Sequence, residues 1–250
     1  MSADTLSRNA RHLALPQVGA GGQDRIKHGT ALMIGVGGIG CPATTYLASS
    51  GIGRLLLCDF DTVDETNLGR QVLYGPGHVG QLKAEVAAAR LRKVNPDVDV
   101  IAIPKRLDGA ELDKAVAQAD VVLDGCDNFA TRFKVNDACV AAGCRLITGS
   151  AIRFEGQLAV FGPDYSVSPC YRCLYEEADE SLGDCAGNGV LAPVPGVIGT
   201  IMAVEALKFL AGVSDAAPTL CLYDAAATEF RHLSIRKRND CQACARPAKS

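Results

Sequence analysis

After a polar stretch of about 28 residues, the chain alternates short, wholly apolar runs with longer, partly apolar ones. Ala31-Leu-Met-Ile-Gly-Val36 is continuous and of strand length, and it predicts a buried strand that runs into glycines. A helix over 40–50 comes next. Arg54-Leu-Leu-Leu-Cys-Asp59 predicts a second strand ending in an acid. Residues 83–93 are alanine-rich and helical in pattern, and Asn95-Pro96 stops them. A strand over 98–103, a helix over 111–119, a strand over 121–124, a helix over 131–142 and a strand over 145–148 complete the series. Strands separated by helices require crossovers, so the pattern predicts a parallel, doubly wound α/β sheet of the Rossmann type.

Beyond residue 150 the rhythm changes. Residues 156–161 form a strand reached by a short turn, which predicts an antiparallel extension of the sheet. A glycine- and acid-rich stretch over 176–189 is expected to be mobile. Pro193-Val-Pro195 precedes a helix over 196–211 that is apolar nearly all round, so burial is expected. Strands over 220–223 and 230–235 close the sheet. There is no internal repeat or low-complexity segment.

Composition narrows the class. The chain has 250 residues and 48% hydrophobic content, enough for one large core. A net charge of −3 and 5% aromatics without tryptophan argue against nucleic-acid partners. No apolar stretch is long and uninterrupted enough to suggest a membrane span, and residues 1–22 lack a hydrophobic signal core. The expected setting is soluble and cytoplasmic, where closely spaced cysteines are ligands or catalysts more often than disulfides.

Two features carry chemistry. Gly35-Val-Gly37-Gly38-Ile-Gly40 lies between a strand and a helix, where bare backbone and free N–H groups accept phosphates. Asp59, at the end of the next strand, suits a ribose hydroxyl. Asp61, Asn67, Arg70, Gln71, Lys83, Asp127 and Asn128 all fall at the carboxyl edge of the predicted sheet. Arg70 and Lys83 suit a polyphosphate, and Asp127 suits a Mg²⁺ ion against it. Each also has a plain structural explanation: a solvated loop charge, a helix-surface lysine and a helix cap, respectively. The second feature is a pair of Cys-x-x-Cys motifs, Cys170/Cys173 and Cys241/Cys244, which predict a closed structural zinc site; two separate redox pairs are the alternative. Of the remaining cysteines, Cys58, Cys139 and Cys221 read as core, Cys41 as packing at a helix start, Cys126 as a neighbour of the nucleotide site and Cys144 as a loop residue. The four histidines are scattered and show no ligand spacing.

Together these stretches resemble the MoeB/ThiF family, bacterial relatives of ubiquitin-activating enzymes. The matching segments are Arg8 to Gly19, Gly35 to Gly40, Asp59 to Gln71, Lys83, Asp124 to Asn128, Cys170 to Cys173, Gly189 to Pro193, Gly196 to Gly199 and Cys241 to Cys244. The resemblance implies a single adenylation domain, with an arm (1–28), a nucleotide-binding part (29–150) and a carrier-binding and zinc part (151–250). It implies ATP-dependent adenylation of the C-terminal glycine of a small ubiquitin-like sulfur carrier ending in Gly-Gly. Asp59 would hold the ribose, Asn67, Arg70, Gln71 and Lys83 the phosphates, and Asp127 the Mg²⁺ or the reacting groups. It further implies a homodimer in which Arg11 reaches the neighbouring copy's ATP. Cys185 matches a cysteine that some relatives join covalently to the carrier, although Ala186-Gly187-Asn188 departs from the usual continuation. A MoaD-like carrier in molybdopterin biosynthesis is favoured over the ThiS carrier of thiamine biosynthesis by Ala151 to Gln157 and Ser168 to Leu174. The chain stops soon after Cys244, so a separate sulfur donor is expected. An NAD-dependent oxidoreductase, a non-catalytic carrier-binding scaffold and a tRNA-modifying relative are the other readings.

Overall fold

A computed structural model describes residues 8–175, 189–213 and 218–245. Eight strands form one sheet in the order β3-β2-β1-β4-β5-β6-β7-β8. They are β1 (Thr30–Ile34), β2 (Arg54–Cys58), β3 (Asp99–Ile103), β4 (Val121–Asp124), β5 (Arg145–Ile152), β6 (Glu155–Phe161), β7 (Thr219–Asp224) and β8 (Glu229–Ser234). The first five pair in parallel, and β5 to β8 are antiparallel. The helices are α1 (Ala10–Leu13), α2 (Gly19–His28), α3 (Gly40–Ser49), α4 (Lys83–Val94), α5 (Gly109–Val116), α6 (Phe129–Ala142), α7 (Tyr171–Leu174) and α8 (Pro193–Ala211). The parallel core with antiparallel additions is the architecture expected from the sequence.

The sheet separates two cores. One face packs Met33, Leu55, Leu57 and Leu123 against α3, α4 and α8; the other packs Leu32, Leu56, Val122 and Leu146 against α5 and α6. Alternate residues of each strand thus serve opposite cores, which is why the strands are apolar without a break. Between β3 and β4 the chain crosses past β2 and β1, so the switch point lies between β1 and β4.

Several expectations shift. The α5 helix begins two residues early because the Asp108 carboxylate caps it, accepting the Gly109 N–H at 2.8 Å. Likewise α6 begins at Phe129, capped by Asn128, whose Oδ1 accepts the Thr131 N–H at 2.9 Å. Strand β5 continues four residues past 148, because β6 pairs with it through Ile152↔Glu155. Cys144 lies in the connection between α6 and β5, as expected, but it is buried there, and its thiol donates to the Ala119 carbonyl at 3.3 Å.

The largest correction concerns α8. It begins at Pro193 and is buried on one face only, through Val194, Ile198, Met202, Ala206 and Leu210, while Val204 is 47% exposed. Its 19 residues are long and apolar enough to cross a bilayer, against expectation, yet half of that length is packed inside the fold. The stretch over 176–189 lies outside the described residues except for Gly189, and so does Cys185.

Candidate nucleotide and zinc sites

The loops after β1, β2 and β4 meet at the switch point around a cavity of about 290 Å³. The glycine loop forms one wall. Gly35 has φ +82, a left-handed conformation that disfavours other residues, and a Cβ on Gly40 would overlap the Gly35 carbonyl oxygen. Gly35, Gly37 and Gly38 line the cavity, whereas Gly40 permits the tight turn behind it. The N–H groups of Gly37, Gly38, Ile39 and Gly40 carry no hydrogen bond among the described residues, so they are free for an anion at the start of α3.

Asp59 is buried, and its two oxygens accept from Val36 N–H at 2.7 Å and Asp61 N–H at 2.9 Å. Burial raises it above the usual carboxylate range; the two N–H groups and the Lys83 ammonium oppose that rise. Each oxygen keeps a lone pair for a ribose hydroxyl. Lys83, the first residue of α4, is only 7% exposed, which rules out the helix-surface role. Its Nζ lies 3.0 Å from Asp61 Oδ2. Arg70 and Gln71 extend the same wall, and the buried Gln71 Oε1 has no hydrogen-bond partner. Asp127 is exposed on the opposite wall, beside Asn128. Capping of α6 falls to Asn128, so the cap role does not account for Asp127. An exposed carboxylate across a phosphate-sized space suits Mg²⁺, which takes few protein ligands.

Besides Gly40, two of the predicted residues stand back from the cavity. Asn67 is buried beneath the wall, where its Oδ1 accepts the Asp64 N–H at 3.2 Å in a capping box, so it shapes the Arg70 loop. Arg11, on α1, is exposed and lines no part of this cavity. No histidine lines it either. Cys126 does, but burial pushes its thiol well above the ordinary value, against any nucleophilic role.

Sequence reasoning missed the rest of the lining. Phe60 and Arg106 stack at 4.5 Å beside Leu107, at the ends of β2 and β3. The strand-end rule could have found Arg106. Arg132 is buried on α6 and donates to the Gly149 carbonyl at 2.8 Å, to Thr148 Oγ1 at 3.3 Å and to the Cys126 carbonyl. Nothing in its sequence setting marks a buried cation. Ser150 and Gln157 form the floor and continue into a second groove of about 260 Å³ over β5, β6 and β7.

Beside Tyr171, which lines the cavity, the Sγ atoms of Cys170, Cys173, Cys241 and Cys244 lie within 4.8 Å of one another. Zinc–sulfur bonds of about 2.3 Å in a tetrahedron put sulfurs about 3.8 Å apart. The Cys170–Cys241 and Cys173–Cys244 distances of 3.6 and 3.4 Å are close to that. The neighbouring Cys170 thiol, as donor, holds Cys173 below the ordinary thiol value. The donor set fits structural zinc. Its four protein sulfurs leave no open position.

Residues 9–243 match the ThiF family. The Escherichia coli molybdopterin-synthase adenylyltransferase is 41% identical over 245 residues, covering 98% of both chains. The Escherichia coli sulfur carrier protein ThiS adenylyltransferase is 42% identical over 237 residues, 95% of this chain and 94% of its own. The mouse adenylyltransferase and sulfurtransferase MOCS3 is 44% identical across 98% of this chain, which spans about half (54%) of that relative. Among solved structures, Escherichia coli MccB with ATP superposes with a TM-score of 0.83 at 26% identity, covering 98% of this chain and 74% of MccB.

Proposed function

Because the chain belongs to the ThiF family, we propose that it is an ATP-dependent adenylyltransferase that activates the C-terminal glycine carboxylate of a ubiquitin-like sulfur carrier. The observation that carries this reading is the continuity of the two cavities. The phosphate wall, with Lys83, Arg70 and the free N–H groups, faces a floor of Ser150 and Gln157 that opens into the groove over β5–β7. ATP held on the wall and an extended peptide tail entering along the groove would meet at that floor.

The chemistry comes from the parts. A carboxylate oxygen of the tail attacks the α-phosphorus, the new C–O–P linkage forms, and the bond to the β-phosphate oxygen breaks with release of pyrophosphate. The attacking group is already anionic, so no general base is needed, consistent with a cavity that no histidine lines. Lys83 and Arg70 neutralise the triphosphate, Gln71 donates or accepts at its edge, and Asp59 fixes the ribose. Mg²⁺ at Asp127 would supply further charge neutralisation. Arg132 places a buried cation near the entering carboxylate. Arg11 is free to serve a neighbouring copy, as a homodimer would use it.

The preference for a MoaD-like carrier rests on the segments Ala151 to Gln157 and Ser168 to Leu174. Overall identity does not separate the two Escherichia coli relatives, at 41% and 42%. The test is ATP–pyrophosphate exchange with MoaD-like and ThiS-like carriers offered separately, each intact or lacking its Gly-Gly end. Exchange requiring the intact end is expected, and the better carrier names the pathway. A protein that binds ATP but exchanges with neither carrier would overturn the reading.

A further inference from the structure

Tyr74 lines no part of the cavity, yet it touches both halves of the phosphate wall. It is buried in the turn after Gln71, and its hydroxyl donates to the Val36 carbonyl at 2.7 Å, with a weaker contact to the Lys83 carbonyl at 3.3 Å. Both peptide groups that flank Val36 are thereby held, because its N–H is bound by Asp59. This clamp sits at the entrance to the glycine loop.

We propose that Tyr74 is a positioning residue for the triphosphate: its hydroxyl braces the Val36 carbonyl of the glycine loop against the Lys83 carbonyl at the start of α4, and so holds the loop's free N–H groups and the Lys83 ammonium in one register for phosphate oxygens. The inference rests on the adenylyltransferase reading and adds a residue to it. Burial pushes the phenol far above its ordinary value, so the hydroxyl stays protonated and a donor across the working pH range. The contact with the Lys83 carbonyl ties the same latch to the residue that neutralises the phosphates.

The test is Tyr74→Phe in the full-length, zinc-replete protein. The ring is kept, so the core packing is retained. Calorimetric titration with ATP and with adenosine separates phosphate binding from base and ribose binding. ATP affinity should fall about tenfold, the scale of one lost buried hydrogen bond that braces the wall, while adenosine affinity stays within about twofold. In carrier-dependent exchange, KM for ATP should rise by the same factor with kcat little changed. ATP binding like the wild type, or equal losses for ATP and adenosine, would overturn the inference alone. A wild-type protein that fails to bind ATP would overturn the adenylyltransferase reading, and this inference with it.

Discussion

Lys83 and Asp61 form an asymmetric pair: the lysine side chain is 8% exposed and the aspartate 51%. Removing either partner therefore has different consequences. Lys83→Ala leaves a carboxylate that water can solvate, so stability should change by less than about 1 kcal/mol. Exchange should fall by about a hundredfold or more, because the proposed site loses a main cation for the phosphates. Asp61→Ala strands a buried ammonium and should cost more stability, about 2 kcal/mol, between the values for exposed and buried pairs. Urea denaturation of both variants checks the order; a less stable Lys83→Ala would contradict the burial argument. Arg70→Ala should also lower exchange severely while the fold persists, since Arg70 is a half-buried wall residue whose own bond is to the Thr66 carbonyl at 3.0 Å.

Among the elements, α8 is the one whose sequence pattern misled. A helix apolar on all sides reads as wholly buried, but the sheet, α3 and α2 cover one face only. Its contact with the glycine loop depends on Gly199, where a Cβ would overlap the Ile39 carbonyl oxygen and meet Pro42 at 2.8 Å. Helix propensity favours Gly199→Ala by about 1 kcal/mol. The overlap involves backbone that cannot rotate away, so overpacking should win and the variant should lose about 1–3 kcal/mol. Because Ile39 belongs to the phosphate wall, ATP binding should weaken as well. Thermal unfolding and an ATP titration test both; a stabilised variant would show that α8 can shift without cost.

At the scale of the whole molecule, sulfur brings distant parts of the chain together. Cys170 and Cys241 stand 71 residues apart in sequence, and the cluster ties the tail to α7, whose Tyr171 lines the cavity. Chelation should release one zinc per chain and lower Tm by several degrees, since metal binding to a folded site is folding free energy. ATP affinity should change little, because the phosphate wall is built from residues 35–127, while carrier-dependent exchange falls with the floor. Zinc loss should also set in as pH falls, because protonation of the thiolates competes with the metal. A metal-free protein of unchanged Tm would exclude the zinc assignment.

The sequence by itself determined the parallel core, the order of strands and helices, the glycine loop and the four-cysteine cluster. These are local: strand-length apolar runs, glycines between a strand and a helix, and cysteines at fixed spacing each express their consequence within a few residues. Asp59 and Lys83 were legible for the same reason, since each marks the end or start of an element at the carboxyl edge. Only the tertiary structure showed that Asn67 props the wall from behind, that Arg132 is a buried cation at the cavity, that Arg106 stacks on Phe60, and that Tyr74 spans two loops. Each of those roles depends on which surface a side chain meets across the sheet or between loops. Periodicity fixes a residue's face on its own element, and says nothing of what the fold brings opposite it.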